Sequence, residues 1–320
     1  MSALELAHTN LASPIVLAFV LGAIATLVRS DLRIPDSVTS GLSIYLLLSI
    51  GLRGGVELSH AQLSELWQPA LATLGLGVVT PVVAYLLLRR SVRLGVPDAA
   101  AIAAHYGSVS VVTFTASIAF LASVGVQSEG FMTTLVALLE IPAIVVALLI
   151  ARLRSQGGGS LVEATREIVA GKSILLLAGG LLIGLAAGEE RYAAVAPVFT
   201  SAFKGALVLF LLDLGMTAAK RLRDIRAVGP RLVVFAIAMP LANGALGVAL
   251  GNVAGLSVGG ATVLGVMAAS ASYIAAPAAV RIALPDANPS LYLTASLGIT
   301  FPFNLAIGIP LYHELAKYLG

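Results

Sequence analysis

AAIAAHYGSVSVVTFTASIAFLASVG, residues 100–125, is an apolar block with Gly107, Ser108, Ser110 and Thr113 at its centre. About 20 apolar residues in a helix span the roughly 30 Å of bilayer hydrocarbon, so the block is long enough to cross a membrane. Glycine and hydroxyl residues in its middle weaken helix continuity and can open backbone groups toward a cavity. A second block, GGATVLGVMAASASYIAAPAAVRIAL (259–284), repeats the pattern. Its middle carries Ser270, Ser272 and Tyr273, followed by Pro277, which lacks the N–H that a continuous helix uses. Two broken spans at symmetric places are expected to cross near the midplane. Their half-helix N-termini then direct N–H groups and positive dipole ends at one spot, which suits a small anion. The competing reading is that serines and small residues line close helix contacts.

The rest of the chain has the same character. Of its 320 residues 58% are hydrophobic and only 11% charged, with a mean hydropathy of +0.99. A soluble domain carries about 25% charged residues, so lipid is the solvent for most of this chain. There is no cysteine, which excludes disulfides, thiolate nucleophiles and sulfur metal sites. His8, His60, His105 and His313 are scattered, and no two sit at ligand spacing on one helix. No basic n-region and cleavage site precede the first apolar block, which reads as a retained span.

Apolar blocks, punctuated by proline, glycine and charge, predict ten spans: 13–29, 38–58, 68–88, 99–124, 131–151, 173–189, 201–219, 231–250, 260–283 and 290–313. Residues 152–172, with Gly157, Gly158 and Gly159, read as a cytoplasmic linker. The expected organisation is a first repeat over 1–151, the linker, and a second repeat over 173–320. The loops after the odd-numbered spans hold 15 of the 19 Lys and Arg, leaving Arg53, Arg191, Lys204 and Lys317 on the other side. That asymmetry places the odd-numbered loops in the cytoplasm of a plasma (inner) membrane and both termini outside it. Pro81 pairs with Pro240, Pro142 with Pro302, Ser108 and Ser110 with Ser270 and Ser272, and Ser49 and Gly51 with Asp213 and Gly215. Each half has an odd number of spans, so the second is inverted, as in many secondary transporters.

Polar groups lie deeper than topology requires. Glu140 precedes Pro142, Asp213 sits in LFLLDLGM, and Asn304 follows Thr300 and Pro302. A carboxylate at this depth costs about 2.5–3.5 kcal/mol on insertion scales, so it faces a cavity or a partner. Oxygen ligands of this kind suit sodium or a proton, and a structural hydrogen bond is the alternative. Asp213, nearer a span end, could instead pair with Lys204 or Lys220. No Lys or Arg sits mid-span in the fourth, fifth, ninth or tenth span. An anion there lacks a fixed countercharge, and a bound cation could supply it. Two unit charges 4 Å apart attract by about 4 kcal/mol at an effective dielectric of 20, so each ion raises the other's affinity. His105 could carry a proton or pack against a helix carbonyl. Tyr106 and Tyr273 could offer hydroxyls to the anion or serve packing. Arg53 and Glu57 read as interfacial groups.

The strings AAHYGSVSVVTF (103–114), LVALLEIPAIVVAL (135–148), AASASYIAAPAA (268–279) and NPSLYLTASLGITFPFNLAIGIPLY (288–312) carry a resemblance. The chain resembles the bacterial sodium-dependent bicarbonate transporters, the family of cyanobacterial high-affinity bicarbonate uptake. The resemblance implies an all-α membrane protein of ten transmembrane helices in two inverted five-helix repeats, with crossed broken helices and core and gate domains. It also implies a homotrimer, uptake of bicarbonate with sodium, and inhibition by a small cytosolic PII-like trimer. Carried onto this chain, the crossing supplies Gly107, Ser108, Ser110, Ser270, Ser272 and Tyr273 to bicarbonate. The sodium candidates are Glu140, Asp213, Thr300 and Asn304. The expected function is sodium–bicarbonate symport, with sodium as the coupling ion and no other cofactor. A sodium-coupled transporter of another small anion and an anion channel are the alternatives. An intramembrane enzyme would need a nucleophile with a base or a metal pair, and no His–Asp or Asp–Asp arrangement here offers one.

Overall fold

The computed structural model describes residues 10–154, 162, 166, 169–222 and 228–320. His8 and most of the expected linker, including the three glycines, lie outside the described residues. Among the described residues every regular element is helical. In chain order the helices are α1 (Pro14–Leu27), α2 (Asp36–His60), α3 (Leu63–Leu87), α4 (Val96–Gly107), α5 (Val111–Ser123) and α6 (Met132–Arg154). There follow α7 (Lys172–Tyr192), α8 (Phe203–Leu222), α9 (Pro230–Val253), α10 (Val258–Ala269), α11 (Ala275–Ala283) and α12 (Pro289–Leu319).

Seven stretches among the described residues are long and apolar enough to cross a membrane, judged by length and composition. The first, sixth and ninth of the ten expected spans fall outside this count. α1 has 14 residues, a length of about 21 Å at 1.5 Å per residue. Its start is fixed by Ser13, whose Oγ accepts the Val16 N–H, with Pro14 in the first turn. α7 is interrupted at Gly188, which adopts φ 66° and ψ 178°. The ninth apolar block is divided into α10, of 12 residues, and α11, of 9.

The helices pack in two groups. α1 packs on α8, and α2 packs on α7 and α8. α3, α4 and α6 form one mutually packed set; α9, α10 and α12 form another. Small residues set the closest approaches. A Cβ on Gly55 would lie 2.0 Å from the Leu181 carbonyl oxygen, and one on Gly184 would lie 2.0 Å from that of Leu52. The same close contact joins α1 to α8, where a Cβ on Gly215 would lie 2.0 Å from the Phe19 carbonyl oxygen. In lipid, where apolar surface gains nothing by leaving its solvent, such backbone proximity supplies the packing.

The second group is crossed. α5 packs against α10, and α11 packs against α4. Two polar clips secure the crossing at its ends. The Ser257 N–H at the head of α10 donates to Glu129 Oε1 (2.6 Å), on the loop after α5. The Asn288 N–H, on the loop after α11, donates to Asp98 Oδ1 (2.8 Å) in the first turn of α4. Large apolar side chains such as Leu21, Leu71, Leu182 and Val234 are exposed on the outer faces, as lipid permits and water does not.

Candidate functional site

α4 ends at Gly107 because Ser108 turns extended, with φ −88° and ψ 167°. α10 ends at Ala269 for the same reason at Ser270, with φ −78° and ψ 164°. The two extended stretches meet. The Ser110 N–H donates to Ser270 Oγ (2.8 Å), and the Ser272 N–H donates to the His105 carbonyl (2.8 Å). In each stretch a serine accepts an N–H at the head of the helix that follows. Ser110 Oγ accepts the Thr113 N–H (3.2 Å) and the Thr113 hydroxyl (2.9 Å) at the head of α5. Ser272 Oγ accepts the Ala276 N–H (3.3 Å) at the head of α11. The earliest N–H groups of such helices have no intrahelical acceptor and carry the positive end of the dipole.

The other bicarbonate candidates adjoin this crossing. The Ser108 hydroxyl donates to the Glu140 carbonyl (3.3 Å). Gly107 lies tightly under α3 and α6; a Cβ there would sit 2.8 Å from Pro81 and 2.9 Å from Ala143. The Tyr273 ring meets Phe301 edge-on at 5.4 Å, and its buried hydroxyl lies beside the Ser110 side chain.

Three of the four sodium candidates are fully buried: Glu140, Thr300 and Asn304. Thr300 donates to the Ala236 carbonyl (2.6 Å) and meets the Tyr106 hydroxyl at 2.6 Å. Asn304 Nδ2 donates to the carbonyl of Ala269, the last residue of α10 (2.8 Å). Asn304 Oδ1 accepts from the Tyr312 hydroxyl (3.3 Å). Glu140 Oε2 has no hydrogen-bond partner. Asp213 is placed apart from these. It accepts from the Thr39 hydroxyl (3.1 Å) on α2, near Lys220 and Asp36, and none of its described hydrogen bonds reaches the other three.

Sequence reasoning missed several participants. The Ala236 carbonyl is available because Pro240, four residues on, has no N–H to give it. Tyr312 donates to the Pro240 carbonyl as well (3.0 Å). Within α12, residues Thr294–Thr300 and Asn304–Gly308 are π-helical, on either side of Phe301–Phe303. Wide turns of this kind recur at functional sites, and they contain Thr300 and Asn304. The position four residues before each intraspan proline was a signal for the carbonyl; nothing in the sequence marked the π turns. His105 is buried, and among the described residues its Nε2 has no hydrogen-bond partner. Its Nδ1 lies 2.7 Å from the Ala101 carbonyl, and its ring stacks on Tyr292 at 4.6 Å.

A cavity of about 490 Å³ opens between α2 and the ends of α5 and α6. Arg53, Glu57, Glu129 and Thr133 line it, so the two groups read as interfacial face this cavity. Toward the crossing it narrows onto Ile50, Val111, Val112 and Ile274, which with Leu46 and Phe210 enclose only about 10 Å³. Ser43 and Thr115 also line this narrow space, and Ile50 and Thr115 line the cavity too, so the two adjoin at a mostly apolar constriction.

A family model described as the Na+-dependent bicarbonate transporter superfamily matches residues 14–317. The chain belongs to this superfamily. No curated protein matches it. Membership in the sodium-dependent bicarbonate transporters sets the chemistry to be met: a monovalent anion and a hard monovalent cation.

Proposed function

We propose that the chain imports bicarbonate by sodium symport across the plasma membrane. The observation that carries this reading is the crossing itself: Ser110 to Ser270 and Ser272 to His105, beside buried oxygen groups and with no cationic side chain at the joint. Bicarbonate docks on the heads of α5 and α11, bordered by Gly107, Ser108, Ser110, Ser270, Ser272 and Tyr273. Sodium binds beside it and supplies the missing positive charge.

The Pro240 carbonyl logic supports Glu140 as the main sodium ligand. In the second half, the carbonyl freed by Pro240 is satisfied by the Thr300 hydroxyl. The repeat-related residue of the first half, opposite Pro81, is Glu140. An ionised carboxylate cannot donate to a carbonyl, so a cation takes the place of the hydroxyl proton. Thr300 and Asn304 then hold neighbouring carbonyls in position. Asp213 is a weaker candidate, acting from the α2–α8 contact.

The same reading takes the chain as ten spans in two inverted repeats, 1–151 and 173–320, joined by 152–172. α1, α2, α7 and α8 form a gate, and α3–α6 with α9–α12 form a core that shifts past it, elevator-like. The paired contacts α1–α8 with α2–α7, and α5–α10 with α4–α11, support it. The homotrimer, the PII-like regulator on the basic cytoplasmic face, and termini outside the cytoplasm belong to this proposal, as does the absence of enzyme activity.

Uptake of labelled bicarbonate into proteoliposomes tests it. We expect accumulation under an inward sodium gradient and none when potassium replaces sodium. Equal uptake in both would overturn coupling. Full competition by acetate or nitrate would point to another anion. Flux that needs only the anion's own gradient would point to a channel.

A further inference from the structure

A second groove, of about 520 Å³, lies between the end of α3 and the start of α9, away from the crossing. Its wall is apolar: Leu87, Val92, Val234, Phe235, Met239 and Ala242. Only Ser91 and Arg231 give it polar side chains, and both are exposed. The backbone is shaped to open it. Leu88–Val92 forms a π-helical turn that ends on Arg93 in the left-handed region, with φ 66° and ψ 37°. Such a conformation in a non-glycine residue costs roughly 1 kcal/mol or more and persists where the surroundings impose it.

Charge selects the occupant. Arg89, Arg90 and Arg93 stand on the same turn as Ser91, and residues 82–97 and 228–256 contain no acidic residue. Among the described residues Arg231 makes no ion pair. Arg89 is held to its own turn by donating to the Leu94 carbonyl. An apolar channel lined by Arg231, beside a turn that carries three more arginines, matches an amphiphile with a long apolar tail and an anionic head. A soluble anion has no use for the channel, and a neutral lipid has none for the cluster.

We propose that this groove binds an anionic phospholipid, with an acyl chain along α3 and α9 and the phosphate on Arg231 and Ser91. The proposal goes beyond transport and rests only on the chain being a membrane protein. Native mass spectrometry of the purified full-length protein tests it, with phosphatidylglycerol and phosphatidylcholine supplied in equal amounts. One retained phosphatidylglycerol per chain is expected, with no matching phosphatidylcholine. Arg231→Gln should weaken retention about fivefold, the effect of one basic residue near a membrane surface. Arg231→Lys should largely restore it. Ala242→Trp, which fills the channel and leaves the arginines, should abolish retention. Arg191→Gln, on a different helix, should have no effect. Equal retention of the two lipids, or wild-type retention by both Arg231→Gln and Ala242→Trp, would overturn the proposal. So would a change of oligomeric mass on Ala242→Trp without loss of lipid, because the groove would then seat a second copy. None of these readouts involves transport, so they stand or fall apart from the symport reading.

Discussion

Glu140 is the residue on which chemistry and burial conflict most sharply. It is 1% exposed, and its Oε2 has no hydrogen-bond partner. An unpaired buried charge is costly, and a neutral amide of the same shape is far less so. Glu140→Gln should therefore leave the sodium-free protein at least as stable as the wild type. If Glu140 is the sodium ligand, the variant should also lose the sodium-dependent rise in melting temperature and need at least tenfold more sodium for half-maximal uptake. Thermal unfolding across a sodium series, with lithium and potassium as controls, separates the two effects. A sodium-dependent rise equal to the wild type would remove Glu140 from the ion site. The position of this residue was legible because a carboxylate inside an apolar run is conspicuous. The same reasoning nominated Asp213, whose partners prove to be Thr39 and the charges around it. Depth within a span says nothing about which way a side chain points. The backbone carbonyls of Ala236 and Ala269 were not legible as partners, because every residue has a carbonyl and only tertiary packing decides which ones are reached.

At the scale of helices, close contact is set by glycines whose neighbours a sequence does not name. Gly55 and Gly184 face each other's helix at a separation no Cβ can share. Gly75 and Gly179 have open space around the position a Cβ would take. Gly55→Ala should push α2 from α7 and cost about 1–3 kcal/mol, the usual penalty of overpacking. Gly75→Ala should instead stabilise by up to about 1 kcal/mol, because alanine loses less backbone entropy in a helix. Melting temperatures in one detergent check both signs. Destabilisation by both changes would mean that Gly75 packs against something other than solvent or lipid. The breaks in the fourth and ninth blocks were legible, since serine pairs and a proline in an apolar run disfavour continuous helix. The π turns of α12 were not, because their cause is the fit of Thr300 and Asn304 to carbonyls on other helices.

For the molecule as a whole, the question is whether the core moves past α1, α2, α7 and α8. At the crossing the two groups touch through Ile50 on α2 and Leu207 and Phe210 on α8, against Val111, Val112 and Ile274; elsewhere α8 meets α12 and α2 meets α6. These contacts are mostly apolar and enclose almost no space, so they form a seal that can slide, although Asn10, ahead of α1, donates across the boundary to the Leu305 carbonyl of α12 (2.7 Å). Tight glycine contacts occur within each group, as at Gly55 and Gly184 in one and at Gly107 and Gly244 in the other, and Gly54 of α2 also lies close against Thr133 of α6. The chain contains no cysteine, so thiols introduced across the seal are the only ones present. Ile50→Cys with Val112→Cys, bridged by mercuric ion, should stop bicarbonate uptake completely, and thiol treatment should restore it. Either single variant should keep most of its activity under the same treatment. A pair placed within one group, such as Leu52→Cys with Leu181→Cys, should bridge without stopping uptake. Undiminished transport by a fully bridged Ile50–Val112 pair would mean that ions pass without displacement of the core, and the constriction would then be a gate opened by side chains alone.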